Sequence, residues 1–436
     1  MAVKDAPEMA EDTPTASPVS AEELNRSCSC RTLDSELLRH HLESDPQLTG
    51  LYEDIRRERP SLFSATSVFL SQAQWQSMAD TVAAIERVVQ SPNYQQAVLA
   101  QAPAIARHEF GPCGVFMGYD FHLGPAGPRL IEINTNAGGP LLNLVLARAQ
   151  YACCQAMGSA MSPMMRARLP EPDYGAMMRR EWSRQRAGTP LGRIAIVDDD
   201  PAQQYLLPEF RLFERLFQAL GIPAVVADPA ELTLRGGTLH HTSGVVDMVY
   251  NRLTDFYLDE PRHAVLREAY TTGAVVLTPH PRAHALYANK HNLVRLSDPD
   301  QLIAWGVEAA VREQILAGVP RTVAVHRTHA DSLWERRRQL FFKPAWGYGS
   351  KAAYRGDKLT RRVWDDILSS DYVAQDLVPP SERIVEVEGS DAGLKFDVRA
   401  YVYAGQIQLL AARLYSGQTT NFRTQGGGFA PVFVVP

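Results

Sequence analysis

The chain has little cysteine, little lysine and no long apolar run. Its five Cys (Cys28, Cys30, Cys113, Cys153 and Cys154) are few for 436 residues and odd in number. A disulfide framework is not expected, and a reducing, cytoplasmic setting is. No stretch approaches the roughly 18 apolar residues of a membrane span, so neither a transmembrane helix nor a membrane partner is expected. Residues 1–23 are rich in Pro, Ser, Thr and Glu and have no apolar stretch. They read as a disordered tail, not a signal peptide. The formal net charge of −5 gives no nucleic-acid footprint. Cys28-Ser29-Cys30 is too short to make a zinc site alone and reads as surface thiols.

Lysine is the unusual scarcity. Of 44 basic residues only six are Lys, and five of them (Lys290, Lys343, Lys351, Lys358, Lys395) fall in one stretch of 106 residues. A compact ammonium and a planar guanidinium are not interchangeable at a phosphate, so the cluster is either chance or a set of phosphate-binding lysines.

What is present is organised. A prior of roughly 150 residues per domain gives two or three domains. Spacing predicts helix over 35–59 and over 74–107, with Ser91-Pro92-Asn93 breaking the second region in two. Residues 113–121, a Pro/Gly turn at 124–128 and residues 129–134 read as strand, turn, strand. Helix is expected over 143–157, and 163–189 reads as surface helix or linker. Strands at 193–197, 224–227, 245–250 and 274–277 alternate with helical stretches, which predicts an α/β unit with a largely parallel sheet over 191–287. Residues 290–318 read as helical. Strands follow at 340–344 and 372–378, then a hairpin, 394–402 with 406–415, around Ala404-Gly405.

Four segments could carry chemistry. In Tyr119-Asp120-Phe121 and Ile131-Glu132-Ile133-Asn134, strand alternation puts Glu132 and Asn134 on one face, with Asp120 able to sit opposite. Two carboxylates and an amide oxygen suit Mg²⁺; the alternative is the solvated face of a two-stranded ribbon. In Phe341-Phe342-Lys343-Pro344-Ala345-Trp346-Gly347-Tyr348-Gly349-Ser350-Lys351, a strand lysine precedes a Gly-rich loop whose N–H groups could meet phosphate oxygens; a tight hairpin is the alternative. Lys395, Asp397 and Arg399 share a strand face, either functional or simply solvated. Arg413 leads into a polar Gly-rich loop, 416–428, that contains Asn421. His280 and His284, flanked by Pro279 and Pro281, read as structural.

Together these segments resemble the ATP-grasp superfamily of carboxylate–amine ligases. The Glu-x-Asn strand comes early and the nucleotide-binding half late, the order of a circularly permuted ATP-grasp as in the glutathionylspermidine synthetase-like group. The resemblance implies an α/β fold made of a permuted ATP-grasp and a Rossmann-like pre-ATP-grasp domain. Its divisions would be 24–187 (N-terminal helices plus the metal-binding part, 113–139), 188–287 (pre-ATP-grasp) and 288–436 (nucleotide-binding part). It implies ATP and two Mg²⁺ as cofactors. Asp120, Glu132 and Asn134 would be metal ligands. Lys290, Lys343, Gly347, Gly349, Lys351 and the hinge Gln375-Asp376-Leu377 would hold ATP. Arg413, Lys351 and Arg399 would be catalytic, and Asn251, Arg252, Asp255 and Asn421 would meet substrate. The implied substrates are a small-molecule or peptide carboxylate and an amine, joined through an acyl phosphate, in a protein that often pairs as a homodimer. A small-molecule kinase and a non-catalytic nucleotide-binding protein are the alternatives. One departure stands out: Gly118 occupies the place where the synthetase pattern has an arginine.

Overall fold

The computed structural model describes residues 19–28, 31–151, 173–346 and 352–435. Its centre is a seven-stranded sheet. The order is Val68–Ser71, Gly428–Val435, Gln406–Tyr415, Ser390–Tyr403, Met117–Gly124, Gly127–Asn134, with Ser381–Val387 also pairing with Ser390–Tyr403. The first two strands run parallel and the other neighbours antiparallel. Strands from the early and late parts of the chain thus lie side by side. The predicted hairpin turns at Ala404 (φ 46°) and Gly405 (φ 76°), the left-handed pair that suits a two-residue turn.

Alternation divides this sheet into an apolar and a charged face. Tyr119, Phe121, Val398, Ala400, Ala412 and Leu414 are buried in one cluster with Met78, Val82, Ile85 and Val89 of helix Gln72–Val89. Fully burying such side chains is worth roughly 1.5–3 kcal/mol each. The helix starts at Ser71, whose hydroxyl accepts from the Gln74 N–H while the Gln74 side chain accepts from the Ser71 N–H. It ends at Val89, and a second helix runs over Pro92–Gln101, so the expected break at Ser91-Pro92 is present. Asp120, Asp397, Arg399 and Arg413 are left for the other face.

A second sheet is four-stranded and wholly parallel, in the order Val276–Thr278, Met248–Asn251, Ile194–Val197, Ala224–Ala227. It occupies the segment in which the α/β unit was expected. The single strand expected over 245–250 is two: Gly244–Val246 joins a small antiparallel sheet with Thr233–Arg235 and Thr238–His241, and Met248–Asn251 joins the parallel one. They part at Asp247, whose carboxylate accepts the Arg193 N–H at 2.7 Å.

A third sheet is antiparallel, ordered Thr322–Ala324, Tyr372–Asp376, Leu340–Pro344, Tyr354–Arg355. Phe342 points into a core with Leu333, Trp364 and Ile367 from helices Ala330–Arg336 and Arg361–Leu368. Phe341 and Lys343, one residue to either side, point the other way.

One surface assignment changes. Helix Tyr174–Gln185 is not a surface linker: Tyr174, Met177, Met178 and Trp182 are buried in the cluster that includes Phe116 and Phe213. Its methionines fill an interior instead of coating a surface. The helix expected over 143–157 spans Pro140–Arg148, and residues 152–172, with Cys153 and Cys154, lie outside the described residues. So do most of the 1–23 tail and Cys30.

Candidate functional site

The charged face of the central sheet owes its arrangement to register. Asp120 stands opposite Glu132 on one neighbouring strand and opposite Arg399 on the other, and Asp397 stands opposite Arg413. Arg399 donates to both oxygens of Asp120, at 2.6 and 2.7 Å. Arg413 bridges, donating from Nε to Asp397 at 2.7 Å and from Nη2 to Asp120 at 2.7 Å. Thr420, in the loop after Arg413, donates its hydroxyl to the second Asp397 oxygen. Both carboxylates are fully buried. Burial opposes the charge on Arg413, but Asp120 and Asp397 more than offset that, and its pKa stands above the ordinary arginine value.

A cleft of about 1050 Å³ opens between this face and the third sheet. Glu132, Asn134 and Arg399 line one wall; Phe341, Lys343, Arg355, Gln375, Asp376 and Leu377 line the other; Lys290, Lys395, Arg413 and loop residues 418–424 complete it. Lys343 is 7% exposed. It donates to the Ile131 carbonyl at 2.7 Å and to the Gln375 side-chain oxygen at 2.9 Å. Burial lowers its pKa to about 8, with Glu132 pulling the other way and Lys290 adding to the lowering. Burial also lowers the Lys290 pKa, again opposed by Glu132. The Lys290 backbone N–H donates to the Ala345 carbonyl, which fixes this lysine against the end of the Lys343 strand. Two cations, one carboxylate and one amide therefore converge from segments more than 150 residues apart.

The expected site residues divide. Glu132, Asn134, Lys290, Lys343, Gln375, Asp376, Leu377, Arg399, Arg413 and Asn421 all border the cleft. Asp120 does not: its oxygens are taken by Arg399, Arg413 and the Asn134 amide, so it anchors cations here instead of presenting a free ligand. Gln375 accepts from Lys343 through its side-chain oxygen. The N–H groups of Asp376 and Leu377 donate to the Arg321 and Gln339 carbonyls, each at 2.8 Å, so a hinge contact through those two donors is already used. Asn421 folds its own loop, donating to the Ser416 and Thr419 carbonyls.

Asn251, Arg252 and Asp255 do not border the cleft. Asn251 donates to the Pro279 carbonyl, Arg252 to the Asn136 carbonyl at 2.9 Å, and Asp255 accepts from His263 at 2.7 Å. Arg252 nevertheless reaches the loop that follows Asn134, and its Nε is buried without a partner. Gly347, Gly349 and Lys351 lie outside the described residues.

Sequence reading missed His122 and Arg355. His122 lines the cleft, and its Nδ1 lies 2.7 Å from the carbonyl oxygen of Val378, tying the Met117–Gly124 strand to the chain leaving the third sheet. Burial lowers its pKa. It sits two residues after Asp120 on one strand, so alternation alone could have flagged it. Arg355 stands opposite Phe341 across a two-residue strand too short to leave a periodic signal.

No protein-family model matches the chain, and no curated protein is similar to it in sequence. Solved structures are similar in fold. A glutathione synthetase-like effector (GSS30) from Globodera pallida, in its apo form, aligns over 90% of this chain and 98% of its own, at 13% identity and a TM-score of 0.55. A putative gamma-glutamylcysteine synthetase from Methylobacillus flagellatus aligns over 82% and 86%, at 10% identity and a TM-score of 0.45. The fold shared with the first of these supports the ATP-grasp architecture expected from the Glu-x-Asn strand and the late strand lysine.

Proposed function

We propose that the protein is an ATP-dependent carboxylate–amine ligase. The observation that carries this reading is the meeting of Glu132 and Asn134 with Lys290 and Lys343 in one cleft. Phosphoryl transfer asks a protein mainly to position its reactants and neutralise charge. Lys290 and Lys343 are placed to do so for a triphosphate, with Arg355 and Lys395 adding charge at the walls. Glu132 and Asn134 are oxygen donors that face the cleft from the central sheet, and they fit a hard cation such as Mg²⁺. When bound, that ion would neutralise phosphate charge. Asp120, held by two arginines, would support the site from behind. Arg413 and Arg399 would set the field beneath the reacting group.

In this reading the γ-phosphoryl group passes to a substrate carboxylate, giving an acyl phosphate. An amine then attacks its carbonyl carbon, the C–O bond to phosphate breaks, and an amide forms with loss of a proton from nitrogen. The loop at 416–428 would keep water from the acyl phosphate. The neighbouring placement of strands 117–134 and 390–403 supports a circularly permuted ATP-grasp of the glutathionylspermidine synthetase-like kind. It also supports dividing the chain at 188 and 288. Arg252, beside the loop after Asn134, supports a substrate role for the 188–287 unit.

The test is phosphate release with Mg·ATP over a panel of amino acids, short peptides and polyamines, followed by mass analysis. Free phosphate with an amide product supports the ligase. A phosphorylated product means a kinase, and no nucleotide turnover with any acceptor means a binding protein.

A further inference from the structure

One side chain of the cleft wall takes no part in holding phosphate or metal. His122 follows Asp120 by two residues, so strand alternation puts it on the same face of the central sheet. Its Nδ1 is 2.7 Å from the Val378 carbonyl oxygen. A carbonyl only accepts, so Nδ1 carries the proton. Burial lowers the pKa of the ring, which is therefore neutral near pH 7, with a lone pair on Nε2. Nε2 has no protein partner among the described residues and is open to the cleft. A fixed, uncharged acceptor thus stands on the cleft wall.

Register fixes the end of the cleft that His122 serves. Gly118 stands opposite Asn134, Asp120 opposite Glu132, and His122 opposite Arg129. At roughly 3.3 Å per residue, His122 lies about 7 Å along the strand from the Asp120–Glu132 pair and about 13 Å from the Gly118–Asn134 pair. A nucleotide whose phosphates and cation sit at Glu132 and Asn134 therefore extends its base toward His122. Leu377, Val378, Pro379 and Pro380 line the cleft where His122 is tied, and they offer a purine apolar walls. The N–H groups of Asp376 and Leu377 are already used, so neither donates to a base. Other side-chain acceptors at this end are engaged or wet. Gln375 gives its oxygen to Lys343, Asp376 turns toward Arg336 at 3.5 Å, and Glu382 is exposed, where water competes.

We propose that His122 sets the base specificity of the cleft, its Nε2 accepting a hydrogen bond from the six-amino group of adenine. Guanine and hypoxanthine carry an oxygen at that position, so two acceptors would face each other and both would go unpaired. The Nδ1 bond to Val378 holds the ring in the orientation and tautomer that this reading of the base needs. The role rests on the reading of the cleft as a nucleotide site, and adds to it the side chain that tells one purine from another.

The probes are Mg·ATP and Mg·ITP, titrated into the full chain by calorimetry. The two nucleotides differ in the group at position six of the base and in the N1 proton that goes with it. The wild type should bind ATP about tenfold or more tightly than ITP. His122→Asn keeps an amide N–H near the place of Nδ1 for Val378 but has nothing at Nε2, and should bring the two affinities within about twofold of each other. His122→Gln carries an acceptor oxygen out to the place of Nε2 and should keep most of the preference. Equal affinity of the wild type for ATP and ITP would overturn the inference. So would an undiminished preference for ATP in His122→Asn, as expected if the ring only ties the strand to Val378 or meets the ribose. Both results leave the nucleotide site standing. A wild type that binds neither nucleotide would instead remove the site, and this role of His122 with it.

Discussion

Arg399 holds Asp120 by both ends of its guanidinium, at 2.6 and 2.7 Å, beneath the floor of the cleft. The two residues are 279 apart in sequence, so this pair fastens the early hairpin to the late one. Arg413 leans on the same carboxylate, so removing it strands Arg399 and leaves Arg413 with Asp397 alone. Asp120→Ala should therefore cost about 3–5 kcal/mol of stability, the usual penalty for breaking a buried ion pair from one side. Urea unfolding measures it. A loss below about 1 kcal/mol would mean that the arginines find other partners.

Glu132 is placed differently. It is half-buried, borders the cleft and has no arginine bound to it among the described residues. Glu132→Ala should abolish ADP formation while changing stability by no more than about 0.5 kcal/mol, as for a surface substitution. Turnover at the wild-type rate would remove Glu132 from the site.

Gly139 begins helix Pro140–Arg148 at φ 102°, a conformation that L side chains rarely adopt. A Cβ there would lie 2.4 Å from the Phe429 ring and 2.8 Å from the Tyr401 hydroxyl. The Gly139 N–H also donates to buried Glu209 at 2.8 Å, so the loop has little room to shift. Gly139→Ala should destabilise by about 1–3 kcal/mol, combining strain with overpacking. Because this loop follows Asn134, the Michaelis constant for nucleotide should rise as well. Thermal unfolding and steady-state kinetics report the two effects separately.

The cleft was legible in the sequence because strand alternation is a strong local rule. It placed Glu132 and Asn134 on one face and Lys395, Asp397 and Arg399 on another. Alternation says which face a side chain takes but not what stands across from it. Asp120 was read as an open ligand, whereas its place opposite Arg399 turns it into a counter-ion. The stretch Gln375-Asp376-Leu377 shows the same limit. The Asp376 and Leu377 donors are spent on neighbouring segments, at Arg321 and Gln339, that short-range pattern cannot pair in advance. Helix Tyr174–Gln185 looked like a surface element because the stretch that holds it is basic, with Arg179, Arg180, Arg184 and Arg186 close together. Its methionines, Tyr174 and Trp182 nevertheless fall on one stripe, and that stripe is what the fold buries.

The last prediction concerns pH and the second sheet. His263 is fully buried, with Nδ1 2.7 Å from Asp255 and Nε2 2.9 Å from Asp199. Burial works against its charge, but the two carboxylates outweigh burial and raise its pKa above 6.5. The folded protein thus keeps a proton that the unfolded chain releases near 6.5. That stabilisation is complete below pH 6.5 and drains away as pH rises through the folded value. Asp198 acts in the same direction but over a lower range, since burial pushes its carboxyl up to about 7. Arg262 lies 3.1 Å from the same Asp199 oxygen. The melting temperature of the wild type should therefore keep falling above pH 7, whereas that of His263→Gln should level off there. Parallel curves for the two proteins above pH 7 would show that the imidazole between Asp199 and Asp255 is neutral in the folded state.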